Sequence, residues 1–277
     1  MTSNKQPTAA MIVIGNEVLS GRTKDKNIGW VAEQLEQNGI KLVEARIIRD
    51  DHKTIISTIK EIYKLVDYVF TSGGIGPTHD DITTPAIAKA FDVSVERNKE
   101  ALRRLQEHYK GTNIELNSAR LKMADIPNGA TLIDNPVSAA PGFNIQNVYV
   151  MAGVPKIMQA MLDGILKNIK FGKKTFSISI ACEIGEGNLA KGIGEIEETE
   201  SDLEIGCYPW FKSGVIGTNI VVRSINEDMC NRAAEKVKKL IKDFGKAYTI
   251  IKREYYFMNL GRELRGLLNE GSDELLL

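Results

Sequence analysis

Apolar residues fall into two rhythms along the first part of the chain. AAMIVIG (9–15), IKLVEARIIRDD (40–51) and DYVFTSGG (67–74) are apolar runs of strand length, whereas NIGWVAEQLEQNG (27–39) and HKTIISTIKEIYKLV (52–66) repeat at helical spacing. In the first of these helices Ile28, Val31 and Leu35 share one face, and Gly39 supplies the stop. Strand, helix, strand, helix, strand at this spacing predicts parallel strands joined by crossover helices, because a tight turn cannot connect parallel neighbours. The expected architecture is α/β: a three-layer α/β/α sandwich on a mostly parallel sheet.

The pattern continues past residue 74. TPAIAKAF (84–91) predicts a helix with Thr84 as cap and Pro85 at the first helical position, where a missing N–H costs nothing. Two more helical stretches follow near 99–109 and 117–124, ATLIDN (130–135) and NVYVMAG (147–153) read as strands, and VPKIMQAMLDGILKNI (154–169) closes the region as a helix. A second unit begins near Phe171. There KKTFSISIACEIG alternates like a half-exposed strand and EGNLAKGIGEIEETE suits a polar helix in spite of its glycines. LEIGCYPWFKSGVIGTNIVVRSI gives two strands about a glycine turn, and NEDMCNRAAEKVKKLIKDFG a helix capped by Asn226 and ended by Gly245. This β-α-β-β-α order suits a small α+β domain, split-βαβ or KH-like. The expected division is 8–170, 171–250 and a C-terminal helical tail over 251–277, whose final DELLL suits packing on a second copy in a homodimer.

Bulk properties narrow the function. The 277 residues carry 36 basic and 36 acidic side chains, a formal net charge of +0, so no global field draws the chain to nucleic acid or anionic lipid. No run of about 18 apolar residues occurs, as a membrane span would need. Cys182, Cys207 and Cys230 lie far apart without zinc-ligand spacing, and the polar N-terminus lacks an apolar signal core. A cytoplasmic protein is expected.

The chemistry concentrates in FTSGGIGPTHDDITTP (70–85). Gly73, Gly74 and Gly76 follow the third strand directly, where open parallel sheets bind ligands. Glycines there let backbone N–H groups approach an anion, although a tight strand-to-helix turn needs them equally. The loop is neither a Walker A motif nor GxGxxG. Asp80 and Asp81 stand beside the glycines; with phosphate oxygens they would make the all-oxygen environment that Mg²⁺ or a similar divalent ion prefers, unless one of them only caps the following helix. His79 is a further acid, base or phosphate donor candidate. The loop after the first strand offers Glu17, Ser20, Asp25 and Asn27, and the second strand ends in Asp50 and Asp51. Three carboxylate-bearing strand ends at one sheet edge point to a metal-assisted phosphate site.

In order, GNEVLSG…D.N, RDD, TSGGIGPTHDDIT, NPVSAAPGF (135–143) and AGVPKIM (152–158) resemble the molybdopterin-binding domain of molybdenum-cofactor biosynthesis proteins, in the form found in the CinA (competence/damage-inducible protein A) family; the N-terminal domain of eukaryotic FAD synthase is similar. The resemblance spans about 9–169. It implies an α/β/α fold with the pocket at the glycine loop. Gly73, Gly74 and Gly76 would cradle a phosphate. Thr78, Asp80, Asp81 and Thr83 would complete the loop, and Glu17 and Asp50 would face it. Ser20, Asn27 and Asn135 are further ligand-binding candidates. Asp80, Asp81 and Glu17 are the catalytic candidates, and Asp50, Asp80 and Asp81 the metal ligands. Asn16 stands where GDE members carry aspartate, and Ser138 and Ala139 stand where many relatives have glycine and threonine. The ESCTGG-like motif of the nicotinamide-nucleotide amidase domain does not occur, so that activity is not expected. The second unit resembles the family's KH-like domain without a GxxG clamp in basic flanks, so nucleic acid is an unlikely partner. Three functions stay open. One is metal-dependent hydrolysis of a nucleotide pyrophosphate such as ADP-ribose. The others are pterin binding or adenylyl transfer in molybdenum-cofactor synthesis, and a non-catalytic nucleotide-binding module.

Overall fold

In the computed structural model, which describes residues 6–251, the chain divides into two units between Lys174 and Thr175. The first contains β1 (Thr8–Ile14), α1 (Asn16–Leu19), α2 (Ile28–Gln37), β2 (Lys41–Ile48), α3 (His52–Ile62), β3 (Tyr68–Ser72) and α4 (Thr83–Ala90). It continues with β4 (Val95–Arg97), α5 (Lys99–Tyr109), α6 (Ser118–Leu121), a 3₁₀ turn (Lys122–Ala124), β5 (Asp125–Pro127), β6 (Thr131–Ile133), β7 (Gly142–Ile145), β8 (Val148–Met151) and α7 (Pro155–Leu166).

Six strands form the main sheet in the order β2-β1-β3-β8-β7-β6. The first four are mutually parallel, as the alternation of runs predicts, while β7 and then β6 pair antiparallel. Two reversals restore the direction, so β6 ends at the same edge as β1, β2, β3 and β8. The central strand β1 is buried on both faces and sorts its side chains by parity. Ala10, Ile12 and Ile14 pack with Ile55 and Ile59 of α3, Ile87 of α4 and Leu105 of α5. Ala9, Met11 and Val13 pack with Val31 and Leu35 of α2 and Met158 and Leu162 of α7. That is the expected three-layer sandwich.

The unit boundary falls four residues beyond the expected 170. The reason is contact: a Cβ on Gly172 would lie 2.2 Å from the Gly39 carbonyl oxygen, and Gln6 Nε2 donates to the Lys173 carbonyl at 2.9 Å. These bonds keep the strip after α7 with the first unit. α4 begins at Thr83, one residue before the expected cap Thr84, because the Thr83 N–H is drawn onto the Gly74 carbonyl at 2.9 Å. Pro85 still falls in the first turn, where its missing N–H has no intrahelical partner to lose.

The second unit comprises β9 (Phe176–Cys182), α8 (Glu186–Glu197), β10 (Leu203–Lys212), β11 (Val215–Ser224), α9 (Glu227–Asp243) and β12 (Tyr248–Ile251). Its antiparallel sheet runs β10-β11-β9-β12. Of the two arrangements left open by the order of elements, this βαββαβ course is the split-βαβ, with β12 pairing beside β9. Residue 251 thus ends a strand instead of opening a helical tail, and the rest of that tail, with DELLL, lies outside the described residues. The GVIG at 214–217 lies in the β10–β11 hairpin, whose turn residues Ser213 and Gly214 both have positive φ (50° and 82°) as a two-residue hairpin turn demands. Of the glycines that weaken α8 on propensity, Gly192 has a packing reason, since a Cβ there would lie 2.7 Å from Leu240 of α9, while Gly187 and Gly194 have open space. Asn226 caps α9 as expected, accepting from Met229 N–H at 3.1 Å. The three cysteines are free, and burial pushes each thiol up, away from reactivity. No helix among the described residues is long and apolar enough to cross a membrane.

Candidate functional site

The glycines answer first to packing. β3 leaves the sheet through Gly73 (φ 107°) and Gly74 (φ 69°), both in the left-handed half of backbone space. A Cβ on Gly73 would lie 2.1 Å from the Ile14 carbonyl oxygen, and one on Gly74 would lie 2.1 Å from Thr83 Oγ1. A Cβ on Gly153, just past β8, would lie 3.2 Å from Gly73 Cα. The ends of β1, β3 and β8 therefore meet backbone to backbone, and only glycine permits it. Gly76 serves the loop itself: its Cβ would lie 2.7 Å from Asp81 Oδ2.

Asn27 ties the same strand ends together. It is buried, and its Nδ2 donates to Ser72 Oγ at 3.2 Å and to the Gly153 carbonyl at 3.0 Å. The α2 terminus that carries it is held by Asp25, which accepts from the Ile28 N–H at 2.9 Å. Three buried oxygens at this edge have no hydrogen-bond partner: Asn27 Oδ1, Thr71 Oγ1 and Thr83 Oγ1. Unpaired buried polar atoms carry a free-energy cost, and each calls for a reason such as a bound water, ion or ligand.

The carboxylates divide by role. Asp51 caps α3, accepting from the Thr54 N–H at 2.9 Å and the Thr54 hydroxyl at 2.7 Å. Asp81 closes its own loop, accepting from the Thr78 N–H at 2.8 Å and from the Thr78 hydroxyl. Asp50 accepts from the Asn16 N–H at 2.8 Å, and its Oδ1 would lie 3.5 Å from a Cβ on Gly74. Burial pushes Asp50 above the usual carboxylate range; the Asn16 N–H opposes this, and the charges of Glu17, Asp80 and Asp81 add to it. Asp80 is held below that range, first by the nearby Thr78 hydroxyl, whose hydrogen bond goes to Asp81, then by its own backbone N–H, and last by His79 and Lys122. At the loop tip the His79 side chain is 98% exposed and Asp80 68% exposed, with His79 Nδ1 4.0 Å from Asp80 Oδ1.

The fold thus brings Glu17, Asp50, Gly73, Gly74, Asp80, Asp81 and Thr83 to one place. Ser20 and Asn135 are otherwise employed. The Ser20 hydroxyl donates to the Glu17 carbonyl at 3.2 Å as a local helix end. Asn135 is buried and wholly spent on its own turn: Nδ2 donates to Ser138 Oγ and the Ala140 carbonyl, each at 2.8 Å, while Oδ1 accepts from the Val137 and Ser138 N–H groups at 3.0 and 3.1 Å. Beside that turn a cavity of about 540 Å³ opens toward α5, lined by Arg104, Glu107, His108, Asp134, Asn135 and Ala139 among others.

The expected metal trio does not form a ready-made centre. Among the described residues no group of three His, Cys, Asp or Glu side chains could hold a metal ion. Asp50 and Asp81 each have an oxygen committed to a backbone N–H, and Asp80 faces solvent. Lys122 was not legible as a site residue: its ammonium donates to the Thr78 carbonyl at 2.9 Å and the Asp81 carbonyl at 2.6 Å.

Residues 10–170 match the family model described as a probable molybdopterin binding domain, and residues 174–248 match the FAD synthase middle domain. A protein of Archaeoglobus fulgidus is 32% identical over 235 residues, covering 84% of this chain and 95% of its own length. A CinA-like protein of Syntrophus aciditrophicus is 31% identical over 212 residues, covering 73% of this chain and 50% of its own length. The chain therefore spans about half the length of that CinA-like relative. Among solved structures, the protein CinA of unknown function from Thermoplasma acidophilum superposes with a TM-score of 0.55 at 34% identity, covering 60% of this chain and 99% of that one.

Proposed function

The chain belongs to the probable molybdopterin-binding domain family in its CinA-like form, and from that footing we propose that it binds a phosphate-bearing pterin or nucleotide at the carboxyl edge of its six-stranded sheet. The observation that carries this reading is the glycine loop at that edge. Left-handed Gly73 and Gly74 bring backbone close, and the buried Asn27, Thr71 and Thr83 oxygens beside them lack partners. Small-molecule sites in open α/β sheets form at such strand ends. The cavity beside the Asn135 turn lies three strand spacings from β3, about 14 Å at 4.8 Å per strand. That separation sets it apart from the glycine loop.

The activity we carry is hydrolysis of a nucleotide pyrophosphate such as ADP-ribose, with a divalent ion supplied in solution, because the residues do not assemble a metal centre in advance. Asp80 is the aspartate free to touch a ligand; Asp81 shapes the loop. Turnover of ADP-ribose with Mg²⁺ by the wild type, Asp80→Ala and Asp81→Ala tests this. Asp80→Ala is expected to lose activity at unchanged stability, and Asp81→Ala to lose both. Wild-type turnover in both variants would sink the assignment. Calorimetry with molybdopterin against ADP-ribose separates the second reading, a pterin-binding or adenylyl-transfer role, whose pterin part is in keeping with the family description. Tight binding without turnover would leave a binding module. Three free, unreactive thiols suit our reading of a cytoplasmic protein.

A further inference from the structure

An anion at the glycine loop meets an electrostatic difficulty. Glu17, Asp80 and Asp81 all act on Asp50, so four carboxylates share one neighbourhood. Like charges at such range oppose the entry of a phosphate. His79 at the tip is 98% exposed and meets only Asp80 among the described residues, at 4.0 Å.

One cation is built into the loop from elsewhere in the chain. Lys122, in the 3₁₀ turn after α6, reaches 44 residues back to the Thr78 carbonyl and 41 back to the Asp81 carbonyl, at 2.9 and 2.6 Å. Every peptide bond here is trans, and a trans peptide sets its N–H opposite its C=O. Gripping the carbonyls of Thr78 and Asp81 therefore turns the N–H groups of His79 and Ile82 to the opposite side of the loop. Backbone N–H groups turned to one side of a loop are available as anion donors. The carboxylate of Asp81 works with this grip, pinning the Thr78 N–H and hydroxyl from within the loop.

We propose that Lys122 is the positioning residue of this loop: it grips the Thr78 and Asp81 carbonyls so that the His79 and Ile82 N–H groups face an anion, and its charge offsets the surrounding carboxylates. The inference rests on the reading that the loop takes a phosphate. It predicts that the affinity of the full chain depends on a residue that need not touch the ligand.

The test uses the full chain as wild type, Lys122→Met and Lys122→Arg. Hydrogen exchange of residues 78–82 is followed without ligand, and affinity for ADP-ribose and for inorganic pyrophosphate by calorimetry. Losing two hydrogen bonds from a charged donor predicts exchange faster by on the order of 10- to 100-fold in Lys122→Met, with a similar loss of affinity for both anions. Lys122→Arg, which keeps the charge, is expected to recover most of the affinity, a rescue that a merely space-filling lysine would not produce. Unchanged exchange in Lys122→Met overturns the grip, and unchanged affinity overturns the charge role. Wild-type protein that binds neither anion overturns the proposed function and the charge role together, while the exchange still decides the grip. A fall in melting temperature common to both variants, with no difference between them in affinity, reduces Lys122 to packing and overturns the proposal.

Discussion

Two turns at the same sheet edge carry family motifs, and they are built on opposite principles. The turn after β6 is closed: Asn135 makes four hydrogen bonds inside a six-residue span, and nothing on its amide is left over. The loop after β3 is open: its glycines press backbone against backbone, while Thr83 Oγ1 and Asn27 Oδ1 stay buried without partners and Asp80 and His79 face solvent. A closed turn has satisfied its polar groups at folding. An open one has accepted a cost that a ligand can recover. Motif prominence alone does not distinguish them, since both stretches are rich in glycine, proline and small polar residues.

The sharpest way to break the comparison is at Gly73. An alanine there would place its Cβ 2.1 Å from the Ile14 carbonyl oxygen at φ 107°. Neither the backbone angle nor the fixed end of β1 can yield cheaply, so Gly73→Ala is expected to cost about 3 kcal/mol or more in urea denaturation. A cost below about 1 kcal/mol would show that the strand ends are looser than described, and that the glycines serve the ligand before the fold.

Asn135→Ala is next in size. Four hydrogen bonds to a buried side chain disappear, two of them leaving backbone N–H groups to find water. The expected loss is about 2–3 kcal/mol, with ligand affinity at folding conditions changed by less than about threefold. A stable variant that no longer binds ADP-ribose would reverse the contrast and make the second turn part of the site.

What was legible in the sequence follows the same contrast. β1, α2, β2, α3 and β3 show cleanly because their apolar spacing is uninterrupted, and a parallel order follows from the helices between them. β7 did not show: Gly142 and Asn144 break its alternation, and its place is set by pairing with β8. β12 is four residues long and owes its existence to β9. The glycine loop was legible as a candidate site because its residues are contiguous. Its support was not: Lys122 lies in an unremarkable KMA stretch and meets the loop only through tertiary folding. Asn135 shows the converse, since an asparagine that holds a turn, as this one does, and one that holds a ligand look alike in one dimension.

The smallest effect probes the electrostatic side of the open loop. Asp50 is raised above its ordinary value by burial, with Glu17, Asp80 and Asp81 adding to the shift against the pull of the Asn16 N–H. A carboxyl whose folded pKa exceeds its unfolded value near 3.9 favours the folded state while protonated and loses that contribution as pH rises through the folded value. Stability should therefore fall slightly as pH rises from the ordinary carboxylate range into the window just above it. Asp50→Asn keeps an acceptor for the Asn16 N–H and removes the charge, so its melting temperature should lose that slope and lie at or slightly above wild type at pH 7. The closed turn over 135–140 carries no carboxylate, and Asn135→Ala should leave the slope in place. If Asp50→Asn instead melts lower at pH 7 with the slope retained, the cluster is already compensated, and the open loop carries no electrostatic cost for a cation or Lys122 to relieve.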